Sequence, residues 1–326
     1  DSTFFSINQN VDSIIWDFGD PISGINNYSN DLNPYHIFSD TGTFYISIDY
    51  YNSGILNSLF DTIQIYSNPN HSYFESNISC FGFEDGYIDI NINQDFPPYF
   101  YSWNNGQSSE DLDSLIPGVY SILITDSNGC TSQESIILTE PSPLVSSIQS
   151  LTNFNGFDIS CFGDSMGSID LLVSGSVSPY SYQWSGMSLD TTEDLSNLSS
   201  GLYIAAITDQ NGCTSQASII LTEPNPLASS IQSLTNFNGF DISCFGDSMG
   251  SIDLLASGSV PPYSYQWSGM SIDTSEDLSN LSSGLYTVSI TDMNACELFD
   301  SIIVSEPFPL VSSIQSLTNF NGFDIS

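Results

Sequence analysis

The residues of this chain best equipped for chemistry are six cysteines, at positions 80, 130, 161, 213, 244 and 296. A thiol serves as a nucleophile, as a metal ligand or as half of a disulfide. A nucleophile needs a base, and the only histidines, His36 and His71, lie outside every cysteine span. Lysine and arginine are absent altogether, so no nucleophile–base pair can be assembled and the chain reads as non-enzymatic. Zinc is disfavoured because no two cysteines stand at CxxC spacing. What remains is pairing. The cysteines fall two by two, 50, 52 and 52 residues apart, which predicts Cys80–Cys130, Cys161–Cys213 and Cys244–Cys296, each within one domain. Closing loops of that length contributes about 3–4 kcal/mol each. Disulfides imply an oxidising compartment and therefore export, buried free thiols being the alternative.

The second chemical resource is acid. Thirty-eight carboxylates face no Lys or Arg, a formal net charge of −38. Such a chain cannot neutralise phosphate, which excludes nucleic acid, and an anionic membrane surface repels it equally. Its own repulsion calls for solvent cations. Asp85, Asp164 and Asp247 follow the first cysteine of each pair; Asp126, Asp209 and Asp292 precede the second. Oxygen ligands of this kind suit calcium, although no calcium-loop motif is present and aspartates in turns more commonly cap their own backbone. The pairs Glu110-Asp111, Glu193-Asp194 and Glu276-Asp277 are adjacent, so on a strand they point to opposite faces and form no catalytic dyad.

These groups are positioned by a repeat. Residues 142–224 and 225–307 are an 83-residue block in tandem, 66 of whose positions are identical, and a more diverged copy precedes them at 68–141. Residues 309–326 repeat 143–160 without a change, so 308–326 reads as the start of a further repeat in a longer array. Residues 1–67 form a different first domain. The hydrophobic share is 40 % and the aromatic share 13 %, enough for several small cores, and no window has helical periodicity. Alternating Tyr99, Tyr101, Trp103, with Tyr180, Tyr182, Trp184 and Tyr263, Tyr265, Trp267, places each trio on one face of a strand. That face is predicted to be core; an exposed strip would stack on sugar rings. Asn128-Gly129 and Asn211-Gly212 predict tight hairpin turns, and Asn294-Ala295 a less comfortable one. Glu140-Pro141, Glu223-Pro224 and Glu306-Pro307 end each unit, where proline stops the strand.

Two resemblances follow. Ile14-Ile15-Trp16-Asp17-Phe18-Gly19-Asp20, Asn33-Pro34-Tyr35-His36-Ile37-Phe38 and Gly42-Thr43-Phe44-Tyr45-Ile46-Ser47-Ile48 resemble the PKD domain, with Pro21 and Phe38 departing from the family pattern. This implies an Ig-like β-sandwich used as an extracellular spacer, with Asp17 and Asp20 as turn formers. Residues 70–307 resemble the SprB repeat of Bacteroidota surface proteins, on Cys-Phe-Gly, Gly167-Ser168-Ile169-Asp170-Leu171, Pro179-Tyr180-Ser181-Tyr182-Gln183-Trp184, Gly201-Leu202-Tyr203, Thr208-Asp209-Gln210-Asn211-Gly212-Cys213 and Thr222-Glu223-Pro224. The resemblance implies part of a long exported adhesin or filament, concerned with attachment or gliding. Its partners would be an extracellular surface or polysaccharide, neighbouring repeats and filament mates; a passive stalk and a carbohydrate-binding accessory module are the alternatives. Asp-Ser/Thr motifs similar to the O-glycosylation signal of such proteins fall at Ser2, Ser13, Thr62, Ser114, Ser165, Thr191, Ser248 and Ser301. The expected fold is all-β, tandem Ig-like sandwiches in an extended array, with no cofactor required apart from calcium if the acidic turns bind it.

Overall fold

A computed structural model describes residues 2–8, 10–93, 96–314, 319–320 and 323–324. The chain divides into two compact units, Asp1–Pro141 and Ser142–Ser326. Among the described residues the only helix is a short 3-10 segment, Pro21–Asn27; the rest of the regular structure is antiparallel strand.

Each repeat is a small sandwich of two three-stranded sheets. In residues 142–224 one sheet joins Val145–Ser150, Gly167–Ser174 and Leu195–Leu198, and the other joins Ser181–Gly186, Gly201–Thr208 and Thr214–Leu221. The period-two alternation read from the sequence is the cause. Tyr203, Ala205 and Ile207 turn inward from one sheet, and Gly167, Ile169 and Leu171 from the other, while their neighbours face out. Trp184 fills the space between the sheets with no exposed surface, and its Nε1 donates to Thr192 O at 2.8 Å. Trp103 and Trp267 hold the same place, donating to Ser109 O and Ser275 O. Tyr180 and Tyr182, partly buried, pack against this core from the same face, so the aromatic strip contributes to the core.

The sandwich has two distinct ends, and the cysteines belong to different ones. At the distal end, where the chain leaves, Ile159 N donates to Thr222 O and Asp158 Oδ2 accepts from Thr222 N at 2.8 Å. There Gly163 N donates to Glu223 Oε2 at 2.7 Å, clasping the Cys161-Phe162-Gly163 loop to the last strand. At the proximal end, the hairpin between Gly201–Thr208 and Thr214–Leu221 turns through Asp209–Cys213. Glu140 and Glu306 repeat the clasp on Gly82 and Gly246, also at 2.7 Å. Their role at the repeat ends is therefore to hold the cysteine loop, a function the sequence reading credited only to the adjoining proline.

The first domain is built from a sheet of Tyr28–Ser29, Ser13–Asp17, Gly42–Asn52 and Ile55–Ile65, with Ser2–Phe4 paired to Tyr35–Ile37. Ile14, Trp16, Phe18, Ile46 and Tyr50 make its core. Asp20, 1 % exposed, accepts from Ser39 N at 2.8 Å and from Ser39 Oγ, and meets His36 Nε2 at 3.1 Å. Asp17 Oδ1 accepts from Gly19 N and Asn27 Nδ2. Both aspartates thus serve the fold of the loop that carries them.

Candidate functional site

The acidic turns are built by their own backbones. Asp209 Oδ1 accepts from Asn211 N at 2.9 Å and Cys213 N at 2.7 Å, and Oδ2 accepts from Ser176 Oγ and Val177 N. Asp292 repeats this set with Asn294, Cys296, Ser259 and Val260. Burial pushes the pKa of both carboxyls up, but the donated hydrogen bonds outweigh it and hold both below the ordinary aspartate value. Asp126 accepts in the same way from Asn128 N and Cys130 N. The second acidic set lies at the other end of each repeat: Asp85 accepts from Ser79, Asp164 from Ser160 Oγ, and Asp247 N donates to Cys244 O. The two sets proposed as calcium ligands are therefore not brought together within a repeat. Among the described residues no three Asp, Glu, His or Cys side chains converge in a metal-binding group.

The turn itself differs from a two-residue Asn-Gly hairpin. It spans Asp126–Cys130 and Asp209–Cys213, closed by Gly129 N to Asp126 O and Gly212 N to Asp209 O, and only the glycines have positive φ, 86° and 87°. In the third repeat Ala295 takes the glycine's place at φ 66°, a left-handed conformation that costs an L-residue about 1–2 kcal/mol.

The turn of the third repeat meets the preceding repeat, and here the predicted pairing fails. Cys161 is bonded to Cys296, across the boundary between consecutive repeats, with Cα atoms 5.7 Å apart. Cys80 and Cys213 each also take part in a disulfide, while Cys130 and Cys244 are free thiols. Cys161–Cys213, Cys244–Cys296 and Cys80–Cys130 are thus all corrected. The reason is geometric. Within a repeat the first cysteine sits beside the end of the last strand and the second just before its start, so eight-residue strands such as Thr214–Leu221 hold them apart by about 23 Å. A disulfide needs Cα atoms within about 7 Å. The distal end of residues 142–224 and the proximal end of residues 225–307 are, by contrast, neighbours.

The bond lies in a built junction. In repeat 2 the segment before Cys161 makes a small hairpin, Phe154 paired with Phe157, in which Gly156 N donates to Asn153 Oδ1 at 2.9 Å and Asn155 has φ 51°. Asn294 of repeat 3 enters it. Its Nδ2 donates to Ser160 O at 2.9 Å and to Phe154 O at 3.4 Å, and its Oδ1 accepts from Asn155 Nδ2 at 2.6 Å. One amide side chain thereby satisfies three polar groups of the preceding repeat, two residues before the cysteine that closes the bond. Sequence reading named the asparagine as a turn former and missed this use of it. The signal was its recurrence as Asn128, Asn211 and Asn294 while the residue before it changes in every copy.

A family model, described as the SprB repeat, matches residues 73–108, 157–188 and 240–271. The SprB repeat occurs three times in this chain. Each matched stretch spans the first cysteine, the clasped Cys-Phe-Gly loop and the core tryptophan of one SprB repeat. No curated protein matches the chain. Among solved structures, the three N-terminal domains of the bacteriophage RB49 highly immunogenic outer capsid protein are 12 % identical, covering 75 % of this chain and 99 % of that one, with a TM-score of 0.34. The titin I-band fragment I67-I69 is 12 % identical over 74 % of this chain and 100 % of its own, with a TM-score of 0.35. The eight N-terminal Ig domains of a DSCAM isoform are 8 % identical over 94 % of this chain and 58 % of theirs, with a TM-score of 0.28. Likeness at this level carries no argument about ligand or role. The SprB repeats here are all-β, Ig-like sandwiches by their own two-sheet construction.

All seven glycosylation candidates with described side chains, Ser13, Thr62, Ser114, Ser165, Thr191, Ser248 and Ser301, are exposed; the side chain of Ser2 lies outside the described residues. No helix among the described residues is long and apolar enough to cross a membrane.

Proposed function

We propose that this chain is a non-catalytic segment of a long, exported cell-surface adhesin, in which tandem repeats present many weak contacts to an extracellular surface or polysaccharide. The observation that carries the reading is the Cys161–Cys296 bond, which ties consecutive SprB repeats into a covalent pair. A module working alone gains nothing from such a bond; an array under load gains a junction that cannot be pulled apart without breaking it. The dense negative charge of the repeats suits an exported protein, since it keeps near-identical neighbours from pairing laterally. The same junction favours a second reading, a passive stalk that displays a distal domain. Gliding motility, PKD-type spacing by the first domain, and O-glycans on the exposed Asp-Ser/Thr sites belong to the adhesin reading as further proposals.

Antibodies raised against residues 142–307 separate the two readings. If they block attachment of cells displaying the parent protein as fully as antibodies to its ends do, the repeats are the contact surface. If attachment is unaffected while the antibodies demonstrably bind, the adhesin reading fails and the stalk stands.

A further inference from the structure

Two identical sockets occur in the C-terminal unit, and among the described residues only one is filled. Residues 153–161 and 236–244 have the same sequence. The second copy folds as the first does: Phe237 pairs with Phe240, Gly239 N donates to Asn236 Oδ1 at 2.9 Å, and Asn238 has φ 48°. Asp241 clasps Ser305 as Asp158 clasps Thr222, and Glu306 clasps Gly246 as Glu223 clasps Gly163. The socket of repeat 3 is therefore formed with no partner in it among the described residues. What differs is cover. Ser160 is 5 % exposed beneath Asn294, and Cys161 and Phe154 are half-buried; Ser243 is half-buried, and Phe237 and Cys244 are exposed.

We infer that the distal end of repeat 3 is a docking surface for the Asp-x-Asn-x-Cys turn of another repeat of this kind, and that Cys244 captures that turn as a disulfide. The occupant is identified by continuity with the filled junction. The same nine residues, one repeat earlier, receive an asparagine amide on Ser160 O and Phe154 O and a cysteine two positions later. That turn is present in every repeat, as Asp126-Ser127-Asn128-Gly129-Cys130, Asp209-Gln210-Asn211-Gly212-Cys213 and Asp292-Met293-Asn294-Ala295-Cys296. The covalent step balances as a thiol–disulfide exchange. The Cys244 thiol and the incoming thiol form one S–S bond, their two electrons and two protons pass to one glutathione disulfide whose S–S bond breaks, and two glutathione thiols are released. Non-covalent docking comes first and sets the pairing, since six or more thiols otherwise have many connectivities open to them.

The test extends the chain by a copy of residues 225–307 placed directly after Pro307, reproducing the natural Pro224-Asn225 join. Oxidation in a glutathione redox buffer is followed by non-reducing digestion at Asp and Glu, because the sequence offers trypsin no site. The expected map links Cys244 to the second cysteine of the added copy, and alkylation of Cys244 by N-ethylmaleimide slows at least tenfold. A second extension, with residues 161–224 fused after Ser326, gives the same result by a different join and guards against one fusion that does not fold. In either extension, replacing the added copy's second cysteine by serine leaves Cys244 shielded, whereas replacing its turn asparagine by alanine removes most of that shielding. The inference is overturned if Cys244 is alkylated in both extensions as fast as in the original chain, or is found bonded to Cys130 or to a first cysteine. None of these outcomes depends on whether the repeats adhere to anything.

Discussion

Asn294 and Ala295 sit side by side at the filled junction and pull in opposite directions. Asn294 bridges two repeats, while Ala295 accepts a backbone conformation that suits glycine. Replacing Ala295 with glycine, as Gly129 and Gly212 already stand elsewhere, is expected to stabilise repeat 3 by about 0.5–1 kcal/mol in denaturant unfolding. Asn294→Ala leaves the amide's three partners unpaired and is expected to cost the junction about 1–3 kcal/mol, read as faster alkylation of Cys161 and Cys296 in the reduced chain. The two free thiols should also part company. Burial first, and then the Asp126 carboxylate, pushes the Cys130 thiol up, whereas Cys244 is exposed, so N-ethylmaleimide at pH 7.5 is expected to label Cys244 well before Cys130. Much at this scale was legible: asparagine and aspartate were read as turn residues, and they are. The asparagine's reach into a neighbouring repeat was hidden, because nothing in one repeat's sequence says what its turn will face.

At the scale of elements, alternation was legible because it has one physical meaning. Tyr180, Tyr182 and Trp184 pointed one way and had to be buried, and Trp184 is. Trp184→Ala is therefore expected to cost about 3–5 kcal/mol, measured by unfolding of repeat 2, since it empties the space between the sheets and orphans Thr192 O. Cysteine pairing was not legible, for a reason the strands make plain. Between Cys161 and Cys213 the chain makes four strands, and four full crossings would return it to the end it started from. Leu195–Leu198 is only four residues long, however, and lies against Ile169 and Gly167 at the distal end without crossing. Three crossings remain, an odd number, so the two cysteines finish at opposite ends. The carboxylates at those ends set the pH response. Asp158, Asp209, Asp241 and Asp292 are held below the ordinary value of 3.8, burial opposing and hydrogen bonds prevailing. Their contribution to stability is present above the ordinary aspartate value of 3.8 and is lost as pH falls through the lowered values, so thermal midpoints are expected to fall as pH drops below 3.8.

For the whole molecule, charge and covalent connection decide behaviour. With a net charge of −38 and no internal cation, raising sodium chloride from about 10 mM to 150 mM, which shortens the screening length from about 30 Å to 8 Å, is expected to raise the unfolding midpoint and slow amide exchange at the repeat junctions. The disulfide removes chain from the path of force. Cys161 and Cys296 are 135 residues apart, so the oxidised chain, once unfolded under load, is expected to extend less than the reduced chain unfolded under the same load, measured by single-molecule stretching. Each sandwich keeps its own tryptophan core, so reduction is expected to loosen the junction while leaving the repeats folded, rather than to melt them as intradomain staples would. The array itself was plain in the sequence from its tandem identity; its covalent joint became visible only when the two ends of the sandwich were placed next to each other.

The most direct measurement is a non-reducing peptide map of the oxidised chain 1–326, digested with Asp- and Glu-specific proteases and read by mass spectrometry. A peptide pair joining Cys161 to Cys296, with Cys244 recovered as a free thiol, is the predicted result. Recovery of Cys161–Cys213 and Cys244–Cys296 in its place would contradict the covalent junction on which this account of the array depends.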